Sequence, residues 1–336
     1  MNTNSNGFIG RIGGPKACEV KPNSKPWIVR LIPDRKHMEI SGCGGTLVSR
    51  RMVLTAAHCV WNFVNGTISS VAGVVVGDHS KFKIDKGEKF IETSRILLHE
   101  NFHEGNSREI PKILVINIRI SKCVCLLTSF PFRLLGNRSN ANSVNLAYDI
   151  AIIVLKDEIV PGKNIKIARL PDEDAPCPTG RKLVASGWGL DMSRFSIRSL
   201  DKLWAVSKEC LEASSCPIMN QDSNLKTTML CVGDPNNLLN SACNGDSGGM
   251  FYIIISNFSS NKILGSFLVT YICYLITGPI TSTSNDGSTT LYGVVSMLGA
   301  SQTQEMEFTP CQQNLLMVRV SAPRILNWIQ DVISKY

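Results

Sequence analysis

Helical periodicity is almost missing from this sequence. One stretch alone, Pro323 to Lys335, has apolar residues at helical spacing, with Ile325, Leu326, Ile329 and Val332 on one side and a proline suited to a first turn. Histidine is scarce as well, five in 336 residues, and none lies at ligand spacing from Cys123 and Cys125, which argues against a zinc site there. Four of the five, His37, His79, His99 and His103, stand in no motif and read as packed or solvated residues. No basic run is dense enough to suggest nucleic-acid binding; the net charge of +8 favours only weak attraction to acidic surfaces or glycans. Met1 to Gly10 is polar and has no apolar h-region, so a secretory leader is not expected within it. Truncation upstream is the expected reason, with a misassigned start as the alternative.

What is present points to strands. Runs of strand character recur at Trp27 to Leu31, Gly45 to Val48, Met52 to Thr55, Val71 to Val76, Ile150 to Leu155, Lys182 to Ser186, Leu291 to Ser296 and Leu316 to Val320. Short runs at such spacing with turn residues between them argue for a sandwich or barrel. With 43% hydrophobic residues the chain can bury a large core, and all-β domains of about 200 to 250 residues form single units, so the surplus length falls to insertions. Twelve cysteines imply an oxidising compartment. The sequons at Asn65, Asn137 and Asn257 are compatible with secretion.

Two short stretches carry the chemistry: Thr55-Ala56-Ala57-His58-Cys59 and Gly245-Asp246-Ser247-Gly248-Gly249. A serine hydroxyl is a weak nucleophile at neutral pH. It needs an imidazole to take its proton and a carboxylate to hold that imidazole in the right tautomer. Asp149, in Tyr148-Asp149-Ile150-Ala151, is the candidate carboxylate. The order His, Asp, Ser is one of three known for this constellation.

With these motifs, and with Cys43-Gly44-Gly45-Thr46-Leu47, Ser186-Gly187-Trp188-Gly189 and the terminal Asn327-Trp328-Ile329, the chain resembles the trypsin/chymotrypsin-type serine peptidases from Ile12 to Tyr336. The resemblance implies an all-β fold of two Greek-key six-stranded β-barrels with a C-terminal α-helix. The first barrel is expected over about 27–155, the second over about 165–322 and the helix over 323–336, after a leader of residues 1–11. It also implies His58 as general base, Asp149 as orienting carboxylate and Ser247 as nucleophile, with Gly245 and Ser247 lending backbone N–H groups to the oxyanion hole. Ser296 matches the family serine beside the aspartate. Arg11-Ile12-Gly13-Gly14 resembles the activation site: cleavage after Arg11 would free the Ile12 ammonium to pair with Asp246 and order the oxyanion loop. The family usually has one more bulky residue before those glycines. Matched disulfides are Cys43–Cys59, Cys210–Cys231 and Cys243–Cys311; the first closes a loop of about fifteen residues, worth about 3 kcal/mol. A fourth family bridge would join the positions of Leu183 and Ile253, neither a cysteine, and the pairing of Cys18, Cys123, Cys125, Cys177, Cys216 and Cys273 stays open.

The resemblance further implies a secreted endopeptidase with a protein or peptide substrate, an activating protease and a protein inhibitor as partners, and no cofactor for catalysis. The pocket floor falls on Ser241, a neutral residue that cannot compensate a desolvated lysine or arginine. Its walls fall on Leu298 and on Leu315 or Leu316, beside Ser296, which favours small to medium apolar substrate side chains. A catalytically impaired binding homologue with an obstructed cleft is the alternative. Asp78, Asp85 and Glu88 match carboxylates of a calcium loop, but Lys81, Lys83, Lys86 and Lys89 interleave them, so ion pairing competes with metal. Insertions are expected at roughly 105–142 and 257–288. Both are apolar and cysteine-bearing, so non-coding sequence carried through a gene assignment is a competing explanation that transcript sequencing decides. The uncharged run from Ile263 to Asn285 raises a transmembrane question, but a span there would separate Ser247 from Ser296, so none is expected.

Overall fold

A computed structural model of the chain describes residues 18–39, 43–62, 66–102, 145–188, 190–191, 198–199, 201–220, 222–234, 251–255, 269–273, 279–298 and 314–336. Six strands, β1 (Ile28–Ile32), β2 (Gly44–Leu47), β3 (Met52–Thr55), β4 (Gly73–Val76), β5 (Lys89–Leu98) and β6 (Ala151–Leu155), close into an antiparallel barrel in the order β1-β2-β3-β6-β5-β4. Valine, isoleucine and leucine dominate these runs because branched side chains pack well on a pleated surface. Closure needs tight approach at Gly73, where an added Cβ would lie 2.3 Å from the Ile91 carbonyl oxygen.

The apolar run Ile150 to Leu155 is continuous because both of its faces are buried. Ala151, Ile153 and Leu155 pack inside the first barrel with Val29, Val53 and Val74. Ile150, Ile152 and Val154 face the opposite way, into a layer shared with Leu316, Val318, Ile325 and Ile329. That second layer joins the two halves of the molecule.

The second half contains β7 (Lys182–Gly187), β8 (Trp204–Leu211), β9 (Met229–Gly233), β10 (Phe251–Ile255), β11 (Val269–Cys273), β12 (Pro279–Thr283), β13 (Thr289–Leu298) and β14 (Leu315–Arg319). Strands β8-β7-β12-β13-β14-β9 form a second six-stranded ring, closed by the β8–β9 pairing. Cys18–Glu19 adds a short edge to β8. A helix, α1 (Ser223–Thr228), is capped by the Asp222 side chain, and α2 (Pro323–Lys335) buries Ile325, Leu326 and Ile329. The all-β architecture of two six-stranded barrels and a terminal helix is thus the observed fold.

Two expectations need correction. The first concerns the strand that follows the Gly-Asp-Ser-Gly-Gly motif. Phe251–Ile255 pairs only with Val269–Cys273, as a separate ribbon among the described residues. The barrel position is taken by Pro279–Thr283, whose Thr281 and Ile280 face Val184 and Ala185 of β7. Both segments have strand character, and only β12 finds neighbours on both edges. Pro279–Thr283, within the expected insertion of about 257–288, is thus a barrel strand, and Leu183 falls opposite Ser282 by extension of that register, not Ile253. The first expected insertion lies outside the described residues.

The second correction concerns the disulfides. Cys43 bonds to Cys59, but Cys210 bonds to Cys177 and Cys231 to Cys216, so the expected Cys210–Cys231 bridge does not form. Register explains why: Leu211 faces Cys231 and Cys210 faces Val232, so the two cysteines lie one position out of step, on opposite faces of the sheet. Cys210 packs in the apolar cluster inside the second barrel, and Cys231 in the layer between the barrels. Cys243 and Cys311 are outside the described residues, and Cys18 is exposed with a free thiol.

Candidate active site

Strand β3 ends at Thr55, and the chain turns at once into a short 3-10 helix, Ala57–Cys59, that carries His58. The Cys43–Cys59 bond ties this turn to the start of β2. Asp149 sits between another 3-10 turn, Leu146–Tyr148, and strand β6. Both residues come from the first barrel. Asp149 is fully buried, and its Oδ1 accepts the His58 backbone N–H at 2.8 Å while Oδ2 lies 2.7 Å from His58 Nδ1. Two bonds to one residue fix the imidazole in position and plane.

The second barrel supplies a third group. Ser296 Oγ donates to Asp149 Oδ2 at 2.7 Å. In β13, Val295 pairs with Met317 and Met297 with Leu316, so Ser296 is the extra residue of a bulge. Bulges re-aim a side chain out of the regular alternation, and here the aim is across the barrel interface. With Nδ1 directed at a carboxylate, a neutral imidazole keeps its proton there and carries its lone pair on Nε2. The arrangement suits removal of a proton from a nucleophile.

A buried cluster lies behind Asp149. His99 stacks on Tyr148 at 4.7 Å between ring centroids and lies 5.1 Å from the Trp328 ring of α2. Arg324 donates to the Tyr148 hydroxyl at 3.1 Å. Burial pushes the His99 imidazole below its ordinary pKa, against smaller upward pulls from the Arg324 backbone and the Glu100 charge. His79 is buried too, so both histidines are packed residues, as their lack of a motif suggested.

Asp78, Asp85 and Glu88 each bring an oxygen within 4.8 Å of the others. Arg30, a buried cation in the middle of β1, contacts Asp78 Oδ2 through Nε at 2.5 Å and also donates to the Met38 carbonyl. Asp85 Oδ2 accepts the backbone N–H groups of His79 and Ser80, at 2.7 and 2.9 Å. Burial, opposed by Arg30 and reinforced by the negative charges of Glu88 and Asp85, pushes the Asp78 carboxyl up to about 6. Arg30 escaped the motif reading, although a lone arginine within Ile-Val-Arg-Leu-Ile was its signal.

Of the pocket positions, Leu298 and Leu315 are direct cross-strand partners on β13 and β14. Leu315 is fully buried with Ile280, Val295 and Met317 inside the second barrel. Arg11, Ile12, Ser241, Gly245, Asp246 and Ser247 lie outside the described residues.

Two antiparallel barrels with a histidine–aspartate couple at their junction define the class of two-barrel hydrolases. The family description "Trypsin" matches residues 16–116 and 132–253. The chain belongs to the trypsin family and is a serine-type endopeptidase, a hydrolase whose substrates are proteins and whose catalysis needs no cofactor. Among curated relatives it is similar to chymotrypsin-like elastase family member 1 of Rattus norvegicus, 26% identical over 69% of this chain and 70% of the relative. The Macaca fascicularis protein of the same name is 25% identical, over 67% of this chain and 68% of the relative. Neuropsin, a serine protease expressed in the limbic system of mouse brain, shares the fold, with a TM-score of 0.56 and 21% identity over 95% of this chain and 99% of that one.

Proposed function

We propose that the chain is a secreted endopeptidase that cleaves peptide bonds through an acyl-enzyme. The observation that carries this reading is the shared carboxylate: Asp149 held at once by His58 and, across the barrel junction, by Ser296. In the proposed cycle Ser247 Oγ attacks the scissile carbonyl and its proton passes to His58 Nε2, which then protonates the departing amine. Water, deprotonated by the same nitrogen, releases the acyl group from Ser247. The backbone N–H groups of Gly245 and Ser247 would hold the oxyanion, each worth roughly 3 kcal/mol to the transition state. Cleavage after Arg11 by an activating protease would free Ile12 to pair with Asp246, making the uncut chain a poorly active zymogen. The bonded cysteine pairs support an extracellular setting.

For the pocket, the supporting observation is the cross-strand pairing of Leu298 with Leu315, which brings the two expected wall positions together. With the neutral Ser241 below, a preference for small to medium apolar side chains before the scissile bond is the reading. The second reading is a binding homologue with an obstructed cleft, resting on bulky leucines at both expected wall positions. Peptide-library profiling of the chain cleaved after Arg11 separates them. Turnover of Ala- or Val-type sites, abolished by Ser247→Ala, supports the enzyme. No turnover of any peptide by folded, cleaved protein supports the obstructed cleft.

Calcium is proposed as a structural ion at Asp78, Asp85 and Glu88. Oxygen donors of this kind suit it, and Asp78 Oδ1 is buried with no hydrogen-bond partner among the described residues. Arg30 on the other oxygen of Asp78 would compete for the same charge.

A further inference from the structure

The loop from Asp78 to Lys89 has an outward side that neither catalysis nor the calcium reading uses. Phe82 is 64% exposed and Ile84 85% exposed, an unusual state for two large apolar side chains two residues apart. Lys83, Lys86 and Lys89 are exposed beside them. The carboxylates of the same region turn inward. Asp85 accepts the His79 and Ser80 N–H groups, Glu88 accepts the Asp85 N–H at 2.8 Å, and Asp78 faces Arg30. Asp201 of the second barrel likewise accepts from Ser80 Oγ at 2.7 Å and from the Phe82 N–H at 3.2 Å. What solvent meets at the tip is therefore apolar and cationic.

The frame under that tip is fixed. The Lys81 N–H donates to the Asp201 carbonyl at 2.9 Å, Lys81 Nζ to the Trp188 carbonyl at 3.1 Å, and Trp188 Nε1 to the His79 carbonyl at 3.0 Å. Phe82 and Ile84 are held out in water by a loop pinned to the second barrel. We propose that this tip docks the protein onto an anionic lipid surface, with Phe82 and Ile84 entering the headgroup boundary and Lys83, Lys86 and Lys89 facing lipid phosphates and carboxylates. A protein or peptide partner anchors best when an apolar side chain fills a pocket. Here both side chains protrude into solvent, and an interface of mobile headgroups accepts a convex apolar tip ringed by lysines. Each lysine near such a surface contributes about fivefold in partitioning.

The test is co-sedimentation of the full chain, in the presence of a chelator, with phosphatidylcholine vesicles with and without phosphatidylserine. Binding is expected only with phosphatidylserine, and is expected to weaken as salt rises. The pair Phe82→Ser and Ile84→Ser, and separately the pair Lys83→Glu and Lys86→Glu, should each weaken it at least tenfold. Unfolding temperature and hydrolysis of a small peptide should stay at wild-type values, because these side chains touch neither the core nor His58. Soluble glycerophosphoserine should fail to displace the protein from vesicles. Equal binding to neutral vesicles, wild-type binding by either variant pair, or capture of a soluble acidic peptide through the same residues without vesicle binding would overturn the proposal.

Discussion

Ser296 and His58 bond to the same oxygen of one carboxylate, Asp149 Oδ2, from opposite barrels, each at 2.7 Å. The orientation of the base is thereby tied to the docking of the two barrels. Removing the Ser296 hydroxyl leaves a buried charge with one donor fewer, and a hydrogen bond to a charged group is worth roughly 1.5–3 kcal/mol. Ser296→Ala is expected to lower kcat about tenfold or more with KM little changed, since the loss falls on positioning and not on substrate contact. Asp149→Asn should cost about 10⁴ in kcat by favouring the wrong tautomer. Steady-state kinetics on one peptide substrate checks both, and a wild-type kcat in Asp149→Asn contradicts the assignment.

Calcium should stabilise the chain most where Asp78 is ionised. Its carboxyl is raised to about 6 from 3.8, so between those values the folded state binds more protons than the unfolded one and stability falls as pH rises. Above about pH 6 the full penalty of roughly 3 kcal/mol stands. An ion at this site would offset it: at about 100-fold excess over Kd the gain is about 2.7 kcal/mol. Thermal unfolding with calcium or a chelator should differ by several degrees near neutral pH, less under acid, and not at all in Asp78→Asn.

His99 has the opposite sign. Burial lowers its folded pKa below the ordinary 6.5, so under acid the unfolded chain takes up a proton that the folded one resists. The neutral ring's contribution is complete above 6.5 and is lost as pH falls below it. His99→Phe, which keeps an aromatic ring against Tyr148 and Trp328, should flatten the acid limb of stability measured by urea unfolding at about pH 7.5 and about pH 5. An unchanged slope would remove His99 as its source.

Residues 250–278 should be dispensable. Barrel strand β12 begins at Pro279, and the only described structure between is the β10–β11 ribbon, paired with itself. Joining Gly249 directly to Pro279 should preserve the second barrel, with an unfolding temperature equal to or above that of the full chain. Loss of folding would show that the ribbon supports the barrel.

Much of this was legible because the decisive residues stand next to strong punctuation. Thr55 closes an apolar strand and His58 follows it, Asp149 opens the run Ile150 to Leu155, and Pro323 starts the one helical pattern of any length. Strand β5, Lys-Phe-Ile-Glu-Thr-Ser-Arg-Ile-Leu-Leu, escaped because only Ile91 in it is buried and its polar residues blur the alternation. The Cys177–Cys210 and Cys216–Cys231 bonds escaped for a different reason. Which face of a sheet a cysteine occupies depends on register with a distant strand, and no local pattern encodes that. The boundary of the second insertion had the same cause: Phe251–Ile255 and Pro279–Thr283 both look like strands, and only pairing with Val184 and Ala185 selects between them.

The account rests on His58 activating Ser247. The most direct measurement is fluorophosphonate labelling of the chain cleaved after Arg11, with the modified peptide located by mass spectrometry. Modification of Ser247 alone is predicted, falling by orders of magnitude in His58→Ala and in the uncut chain. Folded, cleaved protein that stays unlabelled at Ser247, or that labels equally well without His58, would contradict it.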